Sequence, residues 1–194
     1  MRNKLALGAL CMSVVLASGC TLVAPNYTPD YTALDSLKRQ KLSKIAIESV
    51  KPRDLSAEVN KISLRGSSLV SSYGSFAQYL EQALISDFTD SNMLDPMSSV
   101  RLSTTLLKND INVAGILTGN GMIEAKFNVM RDSNVAFDKT LSAEIQFDSS
   151  FMGSVAIPKG QTEYPNLVRA LLKKLYTDKE FIQALKSSFL EKLP

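Results

Sequence analysis

The sequence predicts an α+β fold: a mostly antiparallel sheet with one face covered by an internal helix and two C-terminal helices. Alternation of apolar and polar residues over 122–130 and 135–147 indicates two long strands with one wet face. Helix-period apolar stripes within 75–88 and 167–193 indicate the covering helices. Strands and helices grouped in separate runs, rather than alternating, are typical of the α+β class.

The chain starts with a leader-like segment. Arg2 and Lys4 precede an apolar run without charge from Leu5 to Ala17, and small residues then lead directly to Cys20. This order is typical of a secretory leader. By length alone, the charge-free stretch 5–24 also fits an uncleaved helix that spans roughly 30 Å of hydrocarbon. In both interpretations, everything after residue 20 faces the side of the membrane away from the positively charged start.

The end of this segment resembles the lipobox of bacterial lipoproteins. The residues that carry the resemblance are Leu16, Ala17, Ser18, Gly19 and Cys20. The resemblance implies recognition of residues 16–19 by a signal peptidase, cleavage before Cys20, and acyl chains attached through the Cys20 sulfur. Thr21 stands where an Asp would signal inner-membrane retention, so the resemblance implies the periplasmic face of the outer membrane. The usual leucine three places before the cysteine is replaced here by Ala17.

Three segments follow from this interpretation. We predict a signal peptide over 1–19, a lipidated N-terminus and tether over 20–42, and a single periplasmic domain over 43–194. Residues 21–40 contain two prolines and lack sustained periodicity, which favours a stiffened tether. A basic cluster lies next to them, formed by Lys38, Arg39, Lys41 and Lys44. It is interpreted either as a contact with anionic headgroups or as a solvated entry to the first strand.

The first strand is predicted over Ser43–Lys51, where apolar residues alternate around Ile45 and Ile47 and Pro52 closes the run. A short strand or kinked pair is then predicted around Gly66. Its apolar residues are Ile62, Leu64, Leu69 and Val70.

The internal helix is predicted to start at Ser75, which forms a capping box with Gln78. Glu81 and Asp87 are expected on its exposed face, and the polar run 89–92 ends it. Its apolar stripe consists of Phe76, Leu80, Ala83, Leu84 and Phe88.

Three long strands are predicted next, over 100–113, 122–130 and 135–147. Residues 131–134 form the turn between the last two. The glycine cluster 115–121 resembles a phosphate loop in composition, but a strand follows it, so no helix N-terminus is present to receive an anion. Hairpin chemistry explains these glycines better.

An unusually apolar segment over 151–158 is predicted to be a loop, because it contains Gly153 and Pro158. We expect it to tuck under the sheet, and the alternative is an exposed site for a partner or a lipid. The candidate contact residues in this loop are Phe151, Met152, Val155 and Ile157.

Two helices are predicted at the C-terminal end. The first starts just after Pro165, with an apolar stripe of Leu167, Val168, Leu171, Leu172 and Leu175. The second starts at a capping box of Thr177 and Glu180, with a stripe of Phe181, Ile182, Leu185, Phe189 and Leu193.

Composition excludes several function classes. The sequence has 22 basic and 19 acidic side chains and no histidine. This near balance argues against nucleic-acid binding through bulk charge, so no nucleic-acid partner is predicted. Catalytic triads with histidine and histidine-ligated metals are excluded, and we predict no metal and no cofactor. Carboxylate catalysis remains as a remote alternative, through Asp110, Glu124 or Asp138.

The order of elements behind a lipobox resembles several small Gram-negative lipoproteins. They are the YajG-like uncharacterised family, the lipopolysaccharide-assembly lipoprotein that plugs an outer-membrane barrel, and the auxiliary lipoproteins of lipid-transport ABC systems. The stretches that carry this resemblance are 75–88, 106–111 and 164–185. The resemblance implies a non-enzymatic accessory lipoprotein that is held on the membrane by its lipid and docks on an envelope protein partner. The alternatives are a lipid or glycan carrier and a carboxylate-dependent hydrolase.

Overall fold

The computed structural model describes residues 20–54 and 58–186, and these residues form two sheets and four helices. The predicted α+β class and the two C-terminal helices are confirmed. The predicted signal peptide, with Leu16, Ala17, Ser18 and Gly19, lies outside the described residues.

The elements are β1 (Thr21–Val23), α1 (Tyr31–Lys38), β2 (Ala46–Ile47), β3 (Lys51–Pro52), a 3₁₀ turn (Glu58–Asn60), β4 (Ile62–Leu64), β5 (Ser67–Val70), α2 (Phe76–Asp90), β6 (Val100–Asn112), β7 (Thr118–Arg131), β8 (Asn134–Asp148), α3 (Gly153–Thr177) and α4 (Lys179–Leu185).

The larger sheet is built on the meander β6–β7–β8, whose strands pair antiparallel as predicted. The predicted first strand differs in detail, since it consists of two short strands, β2 and β3, that both pair in parallel with β6. The backbone leaves the ladder between them, where the Val50 N–H donates to the Glu81 carboxylate at 2.8 Å. The result is a mixed sheet with an antiparallel centre.

One face of this sheet is buried and the other is wet. On β7 the side chains of Ile123, Ala125, Phe127 and Val129 are fully buried, in the predicted alternation. The alternation over 135–147 predicts Val135 on the buried face of β8, and this is wrong because Val135 is 59% exposed. A bulge explains the difference: Val129 pairs with Phe137 and Met130 pairs with Val135, so the alternation shifts by one residue.

The internal helix α2 starts as predicted, because the Ser75 side chain accepts a hydrogen bond from the Gln78 N–H at 3.1 Å. The predicted exposed position of Asp87 is wrong. This side chain is almost fully buried, in hydrogen-bond contact with Tyr27 and Tyr176. Asp87 follows Ala83 and Leu84 by four and three residues, so it lies on their face of the helix.

The first C-terminal helix begins earlier than predicted. The helix was expected after Pro165, whereas α3 begins at Gly153 and continues through both Pro158 and Pro165. A proline inside a helix removes a backbone hydrogen bond and costs about 3 kcal/mol. Burial of the face that α3 turns toward β7 and β8 offsets this cost. The buried residues are Ala156, Gly160, Tyr164, Pro165, Leu167, Val168, Leu171, Leu172, Leu175 and Tyr176.

The second C-terminal helix, α4, is capped by Asp178 rather than by the predicted Thr177. The Asp178 carboxylate accepts from the N–H groups of Glu180 and Phe181 at 2.9 and 3.2 Å. It also pairs with Lys139 of β8 at 2.8 Å, which ties α4 to the sheet. Phe189 and Leu193 of the predicted stripe lie outside the described residues.

The smaller sheet has the order β1–β5–β4 and brings the N-terminal residues into the fold. The predicted tether over 21–40 is wrong, since β1 pairs in parallel with β5 and α1 packs on the core through Leu34 and Leu37. The prolines of this segment separate the two elements and leave both of them folded. The predicted kinked pair around Gly66 is confirmed as the hairpin β4–β5.

Helix α3 approaches the end of β6 closely at Gly160. A Cβ atom at this position would lie 2.5 Å from Val113 Cγ1 and 3.2 Å from Ile111 Cγ2. Both neighbours are branched side chains of the core, with little freedom to move. Glycine is therefore required here by packing.

Gly160→Ala is expected to lower the free energy of unfolding by about 1–3 kcal/mol, because the added methyl group overpacks this contact. Gly153→Ala is the matched control, since its Cβ would meet only Ile157 Cδ1 at 3.7 Å. Urea unfolding of both variants measures the difference. Equal stability of the two variants would contradict the packing argument.

Candidate functional site

Cys20 is the first described residue, and it is exposed. Its carbonyl accepts a hydrogen bond from the Ser68 N–H at 3.1 Å, so the residue is already tied to β5. Because β1 and β5 run parallel, Cys20 lies at the end of β5 where the β4–β5 turn is. The cysteine thus joins the folded unit without intervening chain.

Arg65 in this turn connects three parts of the chain at the same end of the molecule. Its guanidinium and Nε donate to the carbonyls of Val113 and Gly115 in the β6–β7 connection, at 2.9 and 3.3 Å. They also donate to Ser150 at 2.9 Å and Phe151 at 2.7 Å, just before α3. These charge-assisted bonds fix the two connections relative to Cys20.

The two connections held by Arg65, together with the first turn of α3, carry exposed apolar side chains, which we call the apolar tip. It consists of Ile116 (68% exposed), Leu117 (76%), Phe151 (76%), Met152 (59%) and Val155 (48%). The Ser149 N–H donates to the Leu117 carbonyl at 2.8 Å, which joins the two connections directly. Isolated exposed apolar residues are ordinary, but a group gathered on one structured end is typical of a contact surface.

The contact residues predicted over 151–158 differ in part from expectation. The expected burial is wrong for Phe151, Met152 and Val155, which are exposed, whereas Ile157 is half-buried against the core. The predicted loop is wrong from residue 153 onward, because α3 has already begun there. Its helical period turns Ala156 and Gly160 inward and leaves Val155 in solvent.

Sequence reasoning did not single out Ile116, Leu117 or Arg65. Ile116 and Leu117 had a detectable signal, since two large apolar residues lie inside a glycine-rich hairpin connection where polar residues are usual. Arg65 had none, because its role depends on carbonyl groups that are distant in sequence.

The basic cluster, Lys38, Arg39, Lys41 and Lys44, lies at the other end of the sheet. Arg131, at the last position of β7, donates to the carbonyls of Ala184 and Lys186 and to Ser43 Oγ. The 14 residues of β7 separate this end from the β6–β7 connection by about 45 Å. Contact of this cluster with headgroups would therefore place Cys20 and the apolar tip far from the same headgroups.

The carboxylates considered for catalysis lie on the wet face of the sheet. Glu124 pairs with Lys108 at 3.2 Å and Asp138 with Lys126 at 3.0 Å, and Asp110 is exposed. A groove of about 360 Å³ beside them is lined by Arg53, Lys61, Lys108, Asp110 and other residues. The pairing of Glu124 and Asp138 with lysines is typical of solvated cross-strand pairs.

Asp87 has a different environment. Its Oδ2 accepts hydrogen bonds from the hydroxyls of Tyr27 at 2.9 Å and Tyr176 at 2.8 Å. Burial raises the pKa of Asp87 from 3.8 to about 6, against the lowering effect of the two hydroxyls. Burial, followed by the Asp87 charge, raises the pKa of both tyrosines. Tyr27, Asp87 and Tyr176 thus join the segment before α1 to α2 and α3. The buried position of Asp87 suits a structural role.

Within residues 20–54 and 58–186, no helix has the length and apolar character needed to cross a membrane. In the same part of the chain, no three acidic, histidine or cysteine side chains are grouped as metal ligands would be.

No protein-family model matches the chain, and no curated protein matches it. Among solved structures, it is similar to a Xanthomonas campestris protein assigned to the family model DUF330, with 13% identity and a TM-score of 0.47 over 80% of this chain and 94% of that one. It is also similar to a hypothetical protein of Chlamydia trachomatis, with 10% identity and a TM-score of 0.39 over 70% and 98% of the two chains. A third, uncharacterized protein gives 12% identity and a TM-score of 0.39 over 78% and 97%. These similarities assign neither a family nor a function to the chain, and the resemblance to lipobox lipoproteins stays a prediction.

The raised pKa of Asp87 predicts a pH-dependent stability. Between pH 3.8 and about 6 the folded protein keeps a proton on Asp87 that the unfolded chain releases. The free energy of unfolding should therefore rise as the pH falls through this window, by up to about 3 kcal/mol. Asp87→Asn should remove this rise, whereas the exposed control Asp148→Asn should keep it. Urea unfolding at pH values across the window tests this, and an unchanged pH dependence in Asp87→Asn would contradict it.

Proposed function

We propose that this protein is a non-enzymatic accessory lipoprotein of the bacterial envelope, anchored by acyl chains on Cys20 at the periplasmic face of the outer membrane. In this proposal the folded unit docks on an envelope assembly or transport component. The observation that carries it is the coincidence of two features at one residue. The lipobox-like sequence 16–20 ends at Cys20, and Cys20 is exposed directly before β1.

The position of Cys20 supports acylation. Its side chain is not used by the core, so attachment of lipid there displaces no packed group. One acyl chain holds a protein on a membrane only marginally, whereas two make the attachment stable. A lipoprotein modified in this way stays on its membrane and meets membrane partners at high local concentration.

A binding role accounts for the described surface better than catalysis does. Glu124 and Asp138 on the wet face are paired with lysines, and the carboxyl group with a raised pKa, Asp87, is enclosed by Tyr27 and Tyr176. The apolar tip, in contrast, is a structured surface that is exposed. Exposed apolar surfaces of this kind are used for contact with proteins or with membranes.

The alternative is a lipid or glycan carrier. A carrier needs an interior cavity of several hundred Å³ that encloses most of its ligand. The side chains of Phe127 in the larger sheet and of Leu167 and Leu171 in α3 are fully buried and belong to one hydrophobic core. This packing supports a docking protein over a carrier.

We expect the mature protein to begin at Cys20 and to carry two or three acyl chains, which intact-mass measurement of the N-terminal peptide detects. Cys20→Ala should abolish acylation and release the domain from membranes or leave the leader uncleaved. Cys11→Ala is the matched control and should be acylated normally. An unmodified Cys20 in the parent protein would overturn the proposal.

The docking part has its own test. Affinity purification of the acylated protein from gently solubilised envelopes, after chemical cross-linking, should recover an envelope assembly or transport protein in stoichiometric amount. The Cys20→Ala variant should recover it less efficiently, because the anchor no longer raises the local concentration. Repeated recovery of the protein alone would contradict the docking role while leaving the anchoring result intact.

A further inference from the structure

We propose that the apolar tip, formed by Ile116, Leu117, Phe151, Met152 and Val155, inserts into the lipid leaflet that holds the acyl chains of Cys20. The inference rests on the acylation of Cys20 proposed above and goes further, since it assigns a second membrane contact and an orientation. Its observation is the placement of Cys20 and of these exposed apolar side chains at the same end of the molecule.

The first step is that no free length of chain separates Cys20, the proposed lipid attachment point, from the fold. The Cys20 carbonyl is bonded to the Ser68 N–H, and pairing of β1 with β5 continues from Thr21 to Val23. Acyl chains on the Cys20 sulfur therefore hold the β4–β5 turn within a few bonds of the headgroups. A domain held this closely has to bring its neighbouring surface against the bilayer.

The second step is the identity of that neighbouring surface. Arg65 lies in the β4–β5 turn, two residues before Ser67, and its guanidinium reaches the carbonyls of Gly115 and Phe151. The side chains of Ile116, Leu117 and Met152 are carried by the same two connections. The surface brought against the bilayer is therefore the apolar tip.

The third step is chemical. Aliphatic side chains, an aromatic ring and a methionine gain free energy when they leave water for the acyl region of a bilayer. Val155 begins the exposed side of α3 and adds to the same surface. Arg65 lies in the turn beside this surface, and a cation at the rim of an inserted apolar surface suits anionic headgroups.

The fourth step is preorganisation. Four carbonyl contacts of Arg65, together with the bond from the Ser149 N–H to the Leu117 carbonyl, hold the tip in shape. A preformed surface loses little conformational entropy when it inserts. A lipid surface is favoured over a protein partner because the acyl attachment point adjoins this end.

The sequence contains no tryptophan, so a single introduced tryptophan reports on its own surroundings. We would purify acylated full-length Phe151→Trp and Leu117→Trp and reconstitute them in vesicles of phosphatidylethanolamine and phosphatidylglycerol with brominated acyl chains. Val135→Trp is the matched control, since Val135 is also exposed and lies beside the β7–β8 turn at the opposite end. Two tip variants keep the test informative if one of them misfolds.

The expected result is blue-shifted emission and several-fold quenching by bromine for the tip variants, with unshifted and unquenched emission for Val135→Trp. Vesicle flotation and the intact mass of the same preparations report attachment and acylation. Unquenched tip variants in an acylated, vesicle-bound protein would overturn this inference and leave the proposed function standing. Emission that shifts with protein concentration alone would instead assign the tip to a second copy. An unmodified Cys20 would overturn both proposals.

Discussion

The apolar face of the β6–β7–β8 meander has to be covered, and most of the structure follows from how α3 covers it. The side chains of Ile123, Phe127 and Val129 point to this face and are fully buried. Helix α3 lies across β7 and β8 and approaches β6 closely enough to require Gly160. Burial along its 25 residues is large enough to retain two prolines inside the helix. The smaller sheet and α1 then pack around the layers that α3 has joined.

Elements with strong local patterns were predictable from the sequence, and those that depend on distant partners were not. Period-two alternation predicts β7 and β8, and the cap at Ser75 predicts the start of α2, because these signals are local. The early start of α3 and the folding of β1 depend on surfaces supplied by other elements. In the same way, the acidic side chain of Asp87 predicts an exposed position from the sequence alone. The fold can bury it because Tyr27 and Tyr176, from distant segments, donate hydrogen bonds to its carboxylate.

The features of the candidate site also differ in whether the sequence alone could predict them. Cys20 and the apolar character of 151–157 are visible in the sequence, because both depend on residue type in a short window. The gathering of the tip is not, since it needs Arg65 to bring together carbonyls about 50 and 85 residues away. The antiparallel meander then separates the two ends of the sheet. One end carries the apolar tip and the other carries the basic cluster, so the two ends of the domain present different chemistry to their surroundings.

The pairing of β1 with β5 also imposes an order of events on a chain that is processed at Cys20. In the proposed processing, a peptidase has to hold the bond directly before Cys20, one residue away from Thr21, where β1 begins. While the enzyme holds this stretch, β1 cannot occupy its place beside Ser68–Val70. If the proposed processing takes place, the smaller sheet closes only after the leader has been removed, and maturation at the membrane becomes the last step of folding.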